Sequence, residues 1–206
     1  MIVYKKMMGR YTSPMHPTIK SRFEQFSDGV FAIAITLLAI ELKVPTLTSA
    51  TVAGGIHEIA VLLPTIVTFV LSFVTIAIFW VNHHQLTQMF EVVKHRRILW
   101  LNVLFLLFLT LIPFATHAMS SNPFHPLAML TYSGIFFGAS VAFSALRYFI
   151  HRDIGESRIK MGRSLVGPVF YLLAVILAFY SVWICYFLLA IPALFYFLPK
   201  DHTPAQ

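Results

Sequence analysis

The amino-acid sequence predicts an all-α, polytopic membrane protein with six transmembrane helices. Of its 206 residues, 58% are hydrophobic and only 11% are charged, whereas soluble domains carry about 25% charged residues. The mean hydropathy is +0.79. Its charge-free runs are long enough to cross a hydrocarbon core about 30 Å thick. The basic residues cluster in alternate connecting segments, which indicates how the chain is oriented.

The first two predicted spans are charge-free runs with polar flanks. Residues 29–40 contain no charge, and their flanks extend the first span to residues 22–43. Residues 59–90 contain no Asp, Glu, Lys or Arg, and we place the second span at 59–84. Both runs reach the roughly 20 residues that a transmembrane helix needs.

The remaining spans come from two longer runs, each of which must be divided. Residues 98–146 are interrupted by SSNPFHP at 120–126, whose two prolines predict a turn. The run at 164–199 would form one helix of about 54 Å, so we predict two short helices with a turn near 180–183. The predicted spans are 22–43, 59–84, 98–119, 127–149, 164–180 and 182–199.

The basic residues predict the orientation of these spans. With both termini in the cytoplasm, fourteen of the fifteen Lys and Arg residues lie on the cytoplasmic side and only Lys43 lies outside. A five-span alternative would also move Lys200 outside. Residues 1–21 then form a cytoplasmic segment that lacks the apolar core of a signal peptide, and 200–206 form a cytoplasmic tail. The net charge of +7 therefore reflects topology and anionic lipid on that side, not nucleic acid.

The first span carries the most distinctive motif, RFEQFSDGVFAIAITLLAIELKVP at residues 22–45. At 100° per residue, Ile33, Thr36, Leu37 and Ile40 fall within one stripe about 10 Å long. Asp28 lies about 140° from Ile33 on the helical wheel. The stripe therefore points away from the carboxylate, which must face a neighbouring helix. On geometry alone, such a stripe indicates ordinary packing or lipid contact as readily as a function.

A buried carboxylate needs hydrogen-bond donors, and the second span offers them in FWVNHHQL at residues 79–86. We expect Asn82 or one of the histidines at 83 and 84 to bond to Asp28 or Ser27. The alternative is a solvated histidine pair at the interface. Two adjacent histidines point about 100° apart, so we predict no metal site. The single cysteine, Cys185, excludes a disulfide within the chain, and no catalytic constellation indicates an enzyme.

These segments together resemble the transmembrane protein 175 family of endosomal and lysosomal potassium channels and their prokaryotic relatives. Arg22, Phe26, Ser27 and Asp28 match the family motif Arg-x-x-x-Phe-Ser-Asp in full. FWVNHHQL in the second span and ILWLNVLFLLFLTLIPFATHAM in the third are similar as well. The single six-span unit resembles the prokaryotic form. That resemblance implies a homotetramer around a pore lined by the first helix, in a bacterial plasma membrane.

The resemblance also implies roles for particular residues. It implies a hydrophobic constriction at Ile33, Leu37 and Ile40, and a selectivity layer at Thr36. It implies a structural network around the motif that we extend to the second span: Arg22, Phe26, Ser27, Asp28, Trp80, Asn82, His83 and His84. A narrow apolar ring dewets and blocks ions until it widens.

The function implied is a potassium-permeable, moderately selective, leak-type cation channel that uses no cofactor, with potassium as the permeant ion. The alternatives are a proton- or cation-coupled secondary transporter and a non-catalytic membrane subunit. Against the transporter, the sequence shows no inverted repeat and no broken first helix.

Overall fold

The chain folds as a bundle of α-helices in the computed structural model, which describes residues 19–42, 51–60, 62–90, 95–155 and 162–197. Within these ranges every regular element is an α-helix. The helices, numbered in chain order, are α1 Ile19–Ile40, α2 Val52–Ala60, α3 Leu63–Thr87, α4 Arg96–Ser121, α5 Pro126–Asp153, α6 Gly162–Leu177 and α7 Val182–Phe197. The predicted all-α class is confirmed. The predictions for residues 1–18, Lys43 and 198–206 lie outside the described residues.

Four of the described helices, α1, α3, α4 and α5, are long and apolar enough to cross a membrane. The helices α6 and α7 have 16 residues each, or about 24 Å. They are joined at residues 178–181, beside the turn predicted at 180–183. Apolar side chains also cover much of the outer surface, as expected for a protein whose solvent is lipid.

The helix that contains the second predicted span begins later and ends later than the sequence suggested. Residues 59 and 60 end the short helix α2, and α3 begins at Leu63 with Pro64 in its first turn. Proline has no N–H and clashes with the carbonyl four residues before it, so it starts a helix more readily than it continues one. The α3 helix then runs through the whole of FWVNHHQL to Thr87.

Consecutive long helices run antiparallel, and short connections hold their ends together. Between α4 and α5 the chain needs only residues 122–125, and the His125 ring accepts a hydrogen bond from Leu127 N–H at 3.2 Å to cap α5. At the opposite end of the bundle, Arg97 forms an ion pair with Asp153, and Ser144 donates to the Ser164 carbonyl at 2.9 Å. All described Lys and Arg residues lie at this second end, which we call the basic end.

The core lies between α1, α3, α4 and α5 and is built around aromatic rings. Phe105 is fully buried, and its ring centroid lies 5.4 Å from that of Phe79 and 5.2 Å from that of Phe143. Further from the basic end, Ser72 shares hydrogen bonds of 2.8 Å with both Thr116 and Tyr132. Such bonds join helices where lipid offers polar groups no partner.

Candidate functional site

The first helix has one face packed into the bundle and one face left open. Its packed face, against α3 and α4, consists of Phe23, Ser27, Phe31, Ala34 and Leu38. On the open face, Ile33 is 60% exposed, Leu37 42% and Ile40 68%. The stripe derived from the helical wheel therefore has no partner among the described residues of its own chain.

The open face is longer than the predicted stripe. Arg22 and Phe26 are exposed on α1, and at 100° per residue both lie within about 20° of Ile33. Both residues were predicted to belong to the structural network. Among the described residues the structure does not join them to that network. They extend the open face to about 27 Å, from Arg22 to Ile40.

Thr36 is the polar residue at the centre of the open face. Its hydroxyl donates within its own helix, with Oγ1 lying 2.9 Å from the Ala32 carbonyl and 3.0 Å from the Ile33 carbonyl. A hydroxyl has one proton and two lone pairs, so the lone pairs stay available to a cation or to water on that face.

Asp28 is held by α3, but not by the donor that the sequence suggested. The indole Nε1–H of Trp80 donates to Asp28 Oδ1 at 3.0 Å, and the Trp80 ring stacks on His84 with centroids 5.8 Å apart. The expectation that Asn82 or a histidine would donate is wrong for Asp28. Asn82 donates instead to the Ile78 carbonyl of its own helix at 2.8 Å, since its position on α3 turns it away from α1.

Ser27 is the start of a second, fully buried tie that crosses three helices. Its hydroxyl donates to the Phe23 carbonyl at 2.8 Å and accepts from Asn102 Nδ2–H at 2.9 Å. The Asn102 carbonyl oxygen lies 2.8 Å from His83 Nε2. An amide oxygen can only accept, so His83 donates from Nε2. The chain His83–Asn102–Ser27 therefore joins α3, α4 and α1, and we call it the buried tie.

Asn102 is the site residue that the sequence analysis missed. It is 2% exposed and contributes both the donor and the acceptor that complete the buried tie. The signal was present: it is a lone amide side chain within the charge-free third span, and polar groups inside a membrane are candidates for a functional or structural role. Phe23, at an unspecified position within the motif, was missed as well; its ring stacks on His83 with centroids 5.8 Å apart.

The other end of α1 is tied to α4 through Glu41. The Glu41 carboxylate pairs with Nδ1 of His117 on α4. The first helix is thus fastened to its neighbours near both ends, and the fastenings lie off the open face. Among the described residues there is no group of three or more His, Cys, Asp or Glu side chains placed to hold a metal ion.

Comparison with known proteins places this arrangement in a family. Residues 22–113 match the family described as endosomal/lysosomal potassium channel TMEM175. A potassium channel of Chamaesiphon minutus is 36% identical over 177 residues, which cover 79% of this chain and 86% of that protein. The chain belongs to the TMEM175 family. The family that the motif predicted is confirmed. The prediction that the protein is not an enzyme is confirmed as well, because the TMEM175 family is one of ion channels.

Other TMEM175 relatives agree in fold and extent. A potassium channel of Chryseobacterium is 32% identical over 186 residues, covering 87% of this chain and 93% of the relative. The crystal structure of a lysosomal potassium-selective channel TMEM175 homolog from Chamaesiphon minutus superposes with a TM-score of 0.76 at 33% identity. That match covers 86% of this chain and 95% of the other. The protein is therefore an integral membrane protein with the fold of this channel.

Proposed function

We propose that the chain is a potassium-permeable, moderately selective, leak-type cation channel in a bacterial plasma membrane. The observation that carries the proposal is the open face of α1, which is apolar around Ile33 while every tie of the helix lies elsewhere. A helix fastened in this way presents a fixed face to whatever lies opposite it. The relatives named potassium channels favour this function over a secondary transporter or a non-catalytic subunit.

In this proposal the chain crosses the membrane six times and assembles as a homotetramer, with the open faces of α1 converging on the axis. The basic end of the bundle is cytoplasmic, in accordance with the positive-inside rule, and both termini lie on that side. Closed point-group symmetry places the same face of every chain around the axis. The apolar rings of Ile33, Leu37 and Ile40 then form a constriction that opens by rotation or splaying of α1.

Conduction follows from the size and dryness of that constriction. An apolar ring too narrow for water excludes hydrated ions by dewetting. When the ring widens, potassium passes with partial loss of its hydration shell, and the Thr36 oxygens are the polar groups that can replace lost water. No protein cofactor is required, and selectivity over sodium remains moderate because no cage of carbonyl groups surrounds the ion.

Potassium flux into liposomes that hold the purified protein tests the proposal. Wild type is compared with Ile33→Asn and Ile33→Ala, with sodium and caesium as competing ions. A matched control is Leu107→Asn, an exposed apolar position on α4. We expect both Ile33 variants to raise flux or flatten the preference for potassium, and Leu107→Asn to leave both unchanged. Absence of flux in every variant, or flux indifferent to Ile33, would reject the proposal.

A further inference from the structure

A slot runs along the basic end of the bundle between α3, α5, α6 and α7. Its inner part is a groove that encloses about 30 Å³ and follows α3 from Thr75 to Asn82, with Tyr171 and Ala193 on the other side. Its outer part encloses about 70 Å³ and is lined by Gln85, Met89, Arg147 and His151 among others. Asn82 lines both parts, so they adjoin.

The slot runs along the helix axes and changes character from one end to the other. From Thr75 to Leu86 it follows α3 for about 17 Å. The walls of the inner part are mainly apolar, with Ile78, Phe79 and Phe143 among them. The outer part ends among amide, imidazole and guanidinium groups. This is the order in which one leaflet of a membrane changes from acyl chain to headgroup.

The slot has a basic lining where the structure describes it. The described residues that line the two parts include no Asp or Glu. Arg147 is half-buried and has no carboxylate partner within the described part of the chain, whereas Arg97 on α4 pairs with Asp153. A guanidinium removed from water needs a counter-charge, and its planar fork of donors fits the oxygens of a phosphate.

We propose that this slot binds one anionic phospholipid per chain, with the phosphate on Arg147 and one acyl chain lying along the groove of the inner part. The outer part is the larger of the two, which suits a phosphate with its glycerol better than a bare carboxylate. The proposal goes beyond conduction and does not depend on whether the chain passes potassium.

Lipid retention by the purified, full-length protein tests the proposal at the headgroup. The protein is exchanged in detergent with phosphatidylglycerol or phosphatidylcholine, and the lipid bound per chain is counted by native mass spectrometry. We expect wild type to retain phosphatidylglycerol preferentially. Arg147→Gln should lower that retention about fivefold, the effect of one cationic residue at an anionic surface. Arg147→Lys, which keeps the charge, should restore most of it.

A matched control is Arg152→Gln, an exposed arginine of α5 outside the slot, which should retain lipid like wild type. At the acyl end, Ala193→Phe fills the inner part and should lower retention, whereas Leu194→Phe, on the exposed side of α7, should not. The Ala193→Phe result tests the slot even if Arg147→Gln does not fold.

Three outcomes would overturn the proposal. The first is equal retention of the two phospholipids by wild type. The second is an equal effect of Arg147→Gln and Arg152→Gln. The third is displacement of phosphatidylglycerol by an equimolar amount of oleate, which would show a free fatty acid as the occupant. Retention is measured without any ion gradient, so failure of the channel proposal would leave this test unaffected.

Discussion

Trp80 and Asp28 form a hydrogen bond of 3.0 Å between α3 and α1, on a side of α1 that does not carry Ile33. This bond and the buried tie through Asn102 hold α1 by its polar positions. The aliphatic positions are left open. The groups that fix the orientation of α1 therefore lie off the proposed ion pathway. Mutations can then change the orientation of α1 and ion conduction separately.

The Trp80–Asp28 bond should contribute to stability and assembly but not to ion selectivity. Trp80→Phe removes the donor and Asp28→Ala the acceptor, so each should lower the free energy of unfolding by about 1 kcal/mol. The double variant should cost less than the sum, because both changes remove the same bond. Asp28→Asn keeps an acceptor oxygen and should cost less. Thermal unfolding in detergent and the oligomeric fraction on size exclusion measure these effects. Altered selectivity in Asp28→Asn with intact expression and assembly would contradict this role.

Loss of Asn102, the central residue of the buried tie, should lower the free energy of unfolding more than loss of the Trp80–Asp28 bond. Asn102→Ala leaves the His83 N–H without its partner in a buried site, at a cost of about 1–3 kcal/mol. The Ser27 hydroxyl loses the hydrogen bond that it accepts but keeps the one that it donates to the Phe23 carbonyl. Replacing all three residues together, as Ser27→Ala, His83→Phe and Asn102→Leu, should recover much of that loss. Asn122→Ala, an exposed amide at the end of α4, is the control. If Asn102→Ala unfolds at the wild-type temperature, the tie does not stabilise the bundle.

Thr36 should affect selectivity through its hydroxyl alone. Thr36→Val keeps the shape of the side chain and removes the oxygen, so we expect a reduced preference for potassium over sodium with assembly unchanged. Thr110→Val is a matched control, because Thr110 is also exposed and also bonds within its own helix, at 2.8 Å to the Leu107 carbonyl. Flux ratios in liposomes compare the two. Equal ratios in wild type and Thr36→Val would remove Thr36 from the selectivity layer.

The open face of α1 should meet its counterpart in another copy of the chain. In a Cys185→Ala background, which removes the single native thiol, Ile40→Cys should form disulfide-linked dimers under mild oxidation. Leu107→Cys, on the exposed surface of α4, should not. Non-reducing gel electrophoresis of native membranes gives the answer. Cross-linking at residue 107 with none at residue 40 would place the interface on α4.

The close packing of α4 on α5 gives a matched pair of glycine substitutions. A Cβ added at Gly138 would overlap with the ring of Phe108, whereas one added at Gly134 meets nothing within 4 Å. Gly138→Ala should therefore lower the free energy of unfolding by about 1–3 kcal/mol, and Phe108→Leu should relieve part of the loss. Gly134→Ala should be neutral or slightly stabilising, since alanine favours a helix. Thermal unfolding of the two alanine variants provides the comparison, and similar losses at both positions would show that Phe108 readily moves aside.

Much of the fold and half of the site followed from the sequence. The all-α class, the helices around each apolar run and the two faces of α1 depend on composition and on the 3.6-residue period, which are properties of one segment at a time. For the same reason the separation of Ile33 from Asp28 around α1 could be calculated before any partner was known. The family motif added the likeness to potassium channels.

The tertiary structure decided which groups meet. Trp80 rather than Asn82 reaches Asp28, and Asn102 links Ser27 to His83, because the rotation and axial shift of α3 and α4 against α1 determine these distances. Those parameters arise from side-chain packing over whole helices and have no local sequence signal. The same packing exposes Arg22 and Phe26 beside Ile33 and brings Arg147 to the mouth of a slot. The sequence of one helix determines which of its faces are apolar. The packing of the neighbouring helices determines which of those faces is buried.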